Sequence, residues 1–211
     1  MDALTYLYDG YNMMTIMQTP LNRKQITHER IVDVASRAIR RAGTHGVGVA
    51  DMMKEAGLTH GGFYAHFESR DALVVEAMQR AWRDSSNALK EAIARRVASG
   101  DCRIKALVDS YLHESNLERI ECGCLVAALA SEVPRLDGTV RDEAHRHASA
   151  FVELVRSMLP DGIDPAQAAS VAATLVGALQ LARVFGGQQG CDLLARTREQ
   201  LVTQFKPVFP N

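Results

Sequence analysis

Hydrophobic residues recur every three to four positions along most of this 211-residue chain, the period of amphipathic α-helices. Ile31, Ala35, Ala38, Ile39 and Ala42 form a first stripe, with Arg30, Arg37, Arg40 and Arg41 mostly on other faces. Thr27 reads as the N-cap of this helix, with Arg30 at its third position, and Gly43 as its C-terminal stop. A short second helix fits residues 49–56, with Val49, Met52, Met53 and Ala56 turned inward and Gly57 as a left-handed terminator. Thr59 then reads as the cap of a third helix to about His66. Ser69 reads as the cap of a fourth, with Asp71 near its positive end.

The fourth helix keeps its period through Val74, Met78, Ala81, Trp82, Leu89 and Ile93 toward Val97, where Ser99-Gly100-Asp101 breaks it. Further helices are expected at about 103–117, 124–133, 138–159, 165–186 and 190–206. The breaks between them fall at Glu121 to Gly123, Pro134, Pro160-Asp161-Gly162 and Gly186-Gly187. No segment alternates like a strand. The pattern predicts an all-α chain of about nine helices. It divides into a small front end, 23–85, and a larger helical body, 86–211. Residues 1–22 have no Lys or Arg and no clear period. They read either as a disordered arm or as an over-extended start, with Met14 or Met17 as the first residue.

Charge sharpens the picture of the front end. The net charge is only −1, but residues 23–67 hold seven Lys or Arg against four Asp or Glu. Four cysteines (Cys102, Cys122, Cys124, Cys191) do not make a disulfide framework in a chain of this size. No run of about 18 apolar residues is evident, so no membrane span is expected. A reduced, cytoplasmic setting is the expectation. Neither a cofactor nor a metal is expected. His145 and His147 lie two apart, and on a helix such residues point apart. No G-x-S-x-G nucleophile motif is present.

Residues 59–67, T-H-G-G-F-Y-A-H-F, carry the most information. Two adjacent glycines in a short helix each cost about 1 kcal/mol relative to alanine. A glycine does let another surface approach the backbone, and the edge of a DNA groove fits that need. Two short helices joined by a glycine turn have the layout of a helix-turn-helix, whose second helix enters the major groove. With Phe63 and Phe67 packed inward on Met52 and Leu58, the residues Thr59, His60, Gly61, Gly62, Tyr64 and His66 are left toward the duplex. His60 suits a phosphate or a guanine edge. Tyr64 and His66 suit phosphates.

At these residues the chain resembles the TetR family of one-component transcriptional regulators. The family pattern is roughly A-G-(V/S)-x-x-G-x-(L/F/I)-Y-x-H-F-x-(S/N)-(K/R)-x-x-L. Residues 56–73 here read A-G-L-T-H-G-G-F-Y-A-H-F-E-S-R-D-A-L. The close resemblance covers about residues 25–85. Three positions depart from it. Gly48 stands where the family has a phosphate-touching Thr, so that contact is lost or moved to Thr44 or His45. Met53 replaces a small Ala, and Ala65 replaces a second Tyr. With fewer phosphate anchors, affinity is expected to lean on Arg23, Lys24 and Tyr64.

The resemblance implies a body that binds a small-molecule effector and dimerises, giving a homodimeric repressor on a palindromic double-stranded operator. The sequence supports the dimer independently. Residues 166–185 are apolar nearly all round, and Leu194, Thr197, Leu201 and Phe205 form a stripe suited to pairing. Candidate effector-pocket residues are Met78, Trp82, Tyr111, Leu112, Phe151, Val155, Leu175, Leu179 and Arg183. Cys122-Gly123-Cys124 lies where a loop enters a helix, and a helix N-terminus lowers a thiol pKa. Some relatives sense electrophiles or oxidants through a cysteine in this region, so the pair offers an alternative redox trigger. A rival of another class is a helical enzyme or ligand-binding protein without DNA function.

Overall fold

The computed structural model describes residues 22–205, and among these residues there is no strand. The eight α-helices are α1 (Arg23–Ala42), α2 (Val49–Glu55), α3 (Arg70–Ala98), α4 (Arg103–Tyr111), α5 (Leu125–Leu129), α6 (Gly138–Met158), α7 (Gln167–Phe185) and α8 (Gly187–Gln204). Three 3₁₀ segments, His60–Ala65, Glu114–Asn116 and Val133–Arg135, interrupt the connections. The proposed leader falls outside the described residues, apart from Asn22.

Asn22, not Thr27, starts α1. Its Oδ1 accepts from the Gln25 backbone N at 2.9 Å, and the Gln25 Oε1 accepts from the Asn22 N at 2.8 Å. This reciprocal box satisfies two donors, which a lone Thr cannot match. Thr27 instead lies inside the helix and donates from Oγ1 to the Arg23 carbonyl. Ser69 caps α3 as expected, accepting from the Ala72 N at 3.1 Å. Thr59 occupies the cap position of its segment, but its side chain makes no capping bond. That segment is 3₁₀ rather than α. With only six residues and two glycines, it lacks the length and propensity for a full α-turn ladder.

Two hydrophobic clusters organise the packing. The first joins Ile31, Val34, Ile39, Met52, Met53, Phe63, Phe67, Leu73 and Met78 at the front end. It also takes in Leu125 and Leu129 of α5 and Val140 of α6. The second gathers α4, α7, α8, Ile93 and Phe151. The 29-residue α3 runs about 43 Å through both. Trp82 packs against both clusters. Helix α3 is continuous through residue 85, and α5 and α6 contribute to the front-end core.

Two expectations about the body are corrected. Helix α7 is long and apolar enough to cross a membrane by length and composition. Here it packs between α6 and α8, with Ala168, Val171, Ala172, Leu175, Ala178, Leu179 and Ala182 buried on one face. The α8 stripe is not free for pairing either: Leu194, Leu201 and Phe205 are buried in the body's own core and Thr197 is half-buried. Among the described residues, α7 carries a cluster of exposed large apolar side chains: Leu181, Val184 and Phe185 are 54%, 78% and 57% exposed.

Candidate nucleic-acid interface and effector cavity

The turn between α2 and the 3₁₀ segment closes at Gly57, whose φ of 71° is the left-handed stop expected there. Phe63 and Phe67 are buried and stacked, 5.6 Å between ring centroids, beneath the segment. Fixing those two rings inward leaves Thr59, His60, Gly61 and Tyr64 exposed, Tyr64 by 73%. Gly62 is half-buried over Met53. His66 is less open than the sequence implied. Its ring lies 6.0 Å from that of His28 on α1, and its Nδ1 is buried with no partner among the described residues. Burial, with His28 and Lys24 nearby, lowers its pKa, so the ring is neutral at pH 7.

The paired glycines have no internal explanation. Neither has a positive φ. A Cβ on Gly61 would meet nothing within 4 Å, and one on Gly62 would meet only the Met53 Cε at 3.7 Å, an ordinary contact. Backbone and packing would both accept alanine at either position.

Charge around this surface is selective. Arg37 is paired with Asp33 at 2.8 Å, Arg41 with Glu55 and Glu121, and Arg40 is buried. Arg23, Lys24, Arg30 and Lys54 are exposed, with no ion pair among the described residues.

The end of α1 is bonded to the body at three points. The Arg41 guanidinium donates to Glu55 Oε2 at 3.1 Å and to Glu121 Oε1 at 2.9 Å. Arg40, whose pKa is lowered by burial, donates to the Ser36 carbonyl and reaches the Gly123 carbonyl at 3.5 Å. Thr44 donates from both N and Oγ1 to Glu132 Oε2, at 2.8 and 2.7 Å, and its carbonyl accepts from Arg70. Thr44 is only 2% exposed, so it cannot replace the phosphate contact missing at Gly48. His45 beside it is exposed. These ties cross some 80 residues of sequence, and no local motif announces them.

The residue 113–124 segment also walls a cavity of about 630 Å³ that reaches α3, α4, α6 and α7. Trp82, Tyr111, Phe151, Leu179 and Arg183 line it, as expected. Met78 instead lines a separate cavity of about 180 Å³, and Leu112, Val155 and Leu175 are fully enclosed core. Sequence reasoning missed Ser110 and Asn116, whose polar character hid them among surface positions. Cys122 and Cys124 both lie on the wall. Cys122 is exposed, whereas burial pushes the Cys124 thiol pKa up despite the nearby Tyr111 hydroxyl and the backbone N–H groups in the first turn of α5. At Cys124 burial thus opposes the thiolate activation that a helix N-terminus favours.

Residues 31–77 match the model of bacterial regulatory proteins of the tetR family, and residues 100–198 match the tetracyclin repressor-like C-terminal domain. Together these matches cover more than half of the chain. The chain belongs to the tetR family. As a member it is a DNA-binding transcriptional regulator. It is 24% identical over 136 residues to the HTH-type transcriptional repressor NemR of Escherichia coli, covering 64% of this chain and 68% of NemR. The fold matches a TetR regulator from Chloroflexus aurantiacus with TM-score 0.72 and 24% identity, over 88% of this chain and 97% of that one. The reduced form of E. coli NemR superposes with TM-score 0.69 and 20% identity, over 83% and 95% of the two chains. AibR, solved with isovaleryl coenzyme A and operator DNA, superposes with TM-score 0.59 and 15% identity, over 87% and 100%.

Within this tetR-family head, Met53 is fully buried beneath Gly62 and Ala65 is exposed. Gly61→Ala is expected to leave the melting temperature unchanged or slightly raised, because alanine is the better helix former by about 1 kcal/mol. Operator affinity, read by fluorescence anisotropy, is expected to drop about tenfold, the equivalent of about 1.4 kcal/mol lost where a groove edge meets the backbone. Unchanged affinity would show that nothing approaches Gly61.

Proposed function

We propose that this chain acts as a homodimeric repressor released from a palindromic operator when a small molecule occupies the 630 Å³ cavity. One observation carries the reading. The segment that walls the cavity is the same one that holds the end of α1, through Glu121 to Arg41 and the Gly123 carbonyl to Arg40. A ligand that displaces this segment alters the seat of the DNA head, and so shifts the spacing of two heads in a dimer. The assigned domains are the head, 23–85, and the effector and dimerisation body, 86–211. Thr59, His60, Gly61, Gly62, Tyr64 and His66 face DNA, with Arg23 and Lys24 as phosphate anchors. NemR's description as a repressor, and the presence of both ligand and operator in the AibR structure, favour the same assignment.

Anisotropy with DNA from upstream of the chain's own coding sequence tests this reading, with no binding at low salt as the outcome that defeats it. Tyr64→Phe is expected to weaken binding about fivefold across all sequences, the worth of one hydrogen bond. Lys24→Ala should reduce the slope of log affinity against log salt by about 1.

A second reading keeps the fold and changes the trigger to a thiol. It is favoured by Cys122, exposed on the wall between the cavity and Arg40. Oxidant-induced release of DNA that disappears in Cys122→Ser or Cys124→Ser would establish it, and an unchanged response in both would discard it.

A further inference from the structure

The cavity wall contains a concentration of unsatisfied polarity. Three buried side-chain polar atoms without a hydrogen-bond partner among the described residues belong to residues lining this one cavity: Ser110 Oγ, Tyr111 Oη and Arg183 Nε. Tyr111 is 4% exposed and Ser110 9%. Buried donors without acceptors are costly and are normally satisfied.

Arg183 is also short of charge. It makes no ion pair with any described carboxylate, and its Nη2 donates only to the Asn116 carbonyl at 3.1 Å. Burial lowers its pKa, yet a guanidinium keeps its proton at any physiological pH. The other charges around the cavity do not neutralise it. Asp101 is held by Lys105 at 2.7 Å and by Arg96 at 3.7 Å, while Glu91 and Arg95 are exposed on α3. Trp82, Phe151 and Leu179 line the same cavity and are apolar.

From this arrangement we infer that the cavity takes a small organic carboxylate with an aromatic or aliphatic body. The carboxylate pairs with the Arg183 guanidinium, and the body lies on Trp82, Phe151 and Leu179. Charge-assisted bonds to a guanidinium are the strong kind, and a cavity of this size suits such a ligand. The inference rests on the effector reading above and adds the chemical class. It also gives Arg183 a place in the relay. The guanidinium already holds the Asn116 carbonyl and sits against Gly123, where an added Cβ would lie 3.0 Å from Nη2.

Calorimetric titration of the full chain with benzoate, 4-phenylbutyrate and octanoate, each beside its primary amide, tests the class. At least one acid is expected to bind about tenfold tighter than its amide, a difference of about 1.4 kcal/mol. Arg183→Gln should abolish that preference. If Arg183→Gln fails to fold, Arg183→Lys, which keeps the charge and loses the fork, is expected to show a reduced preference. Amides binding as well as acids, a preference untouched by these variants, or no acid binding would overturn the inference. Operator release is read separately. Arg183-dependent acid binding without release would defeat the effector reading and leave the ligand class standing. Release by amides alone would do the reverse.

Discussion

Replacing Val184 with Asp is expected to convert the proposed dimer into a monomer and to lower operator affinity by a factor of roughly 10²–10⁴. Val184 is 78% exposed and lies beside Leu181 and Phe185, so the C-terminal half of α7 presents large apolar side chains that the described residues leave uncovered. The exposed Ala169 and Ala173 extend the same helix with small residues that allow a close approach. A two-fold interface repeats each contact, so one substitution places two carboxylates in the apolar patch. Desolvating each costs several kcal/mol unless it is paired. The DNA effect follows from tethering: two linked heads bind the second half-site at millimolar effective concentration, and a monomer loses that advantage. The fold should survive, because Val184 touches little within its own chain. Light scattering reports the mass and a thermal melt reports the fold. A dimer that persists in the Val184→Asp variant would place the interface elsewhere. Leu201→Asp provides the contrast: that residue is 5% exposed within the body's core, so the expected result is unfolding rather than clean dissociation.

The difference between α7 and α8 shows how far the pattern of apolar residues can be read. Periodicity tells which helix faces are apolar, and it identified nearly every helix here. It does not tell whether an apolar face meets the same chain or a second one. The α8 stripe of Leu194, Leu201 and Phe205 is internal, while α7, apolar nearly all round, has one face left over. Local chemistry was more legible. The glycine stop at Gly57, the Ser69 cap and the inward Phe63 and Phe67 all follow from rules that act within a few residues. The Asn22-x-x-Gln25 box was equally local and was passed over for Thr27. The cavity was half legible, because Trp82 and Phe151 are large and apolar, whereas Ser110 and Asn116 acquire their role only when α4 and the turn after it fold over α7. The ties from Thr44 to Glu132 and from Arg41 to Glu121 could not be read at all, since each residue is ordinary in its own segment.

Those long-range ties make Gly43→Ala a strongly disruptive small substitution. Gly43 ends α1 with φ 78° and ψ 170°, a region occupied almost only by glycine, and holding another residue there costs about 1–3 kcal/mol. Space compounds the strain. A Cβ would lie 2.0 Å from Glu132 Oε1 and 2.8 Å from its Cδ, so the carboxylate must move. Its other oxygen accepts both the N–H and the hydroxyl of Thr44, which is 2% exposed. Losing that acceptor leaves buried donors unsatisfied at a cost of about 1–3 kcal/mol. Together the two effects predict a loss of roughly 2–5 kcal/mol, or a fall in melting temperature of roughly 5–15 °C for a domain of this size. A double-mutant cycle with Glu132→Ala separates them. In the Glu132→Ala background Gly43→Ala should cost only its backbone strain, and the difference measures the carboxylate's share. An additive cycle would mean that Glu132 moves aside freely. A coupling of about 1 kcal/mol or more would mean that the seat of the DNA head depends on this carboxylate. In that case operator affinity should fall in Gly43→Ala even at temperatures where the protein remains folded, because the end of α1 is no longer fixed to the segment carrying Glu132.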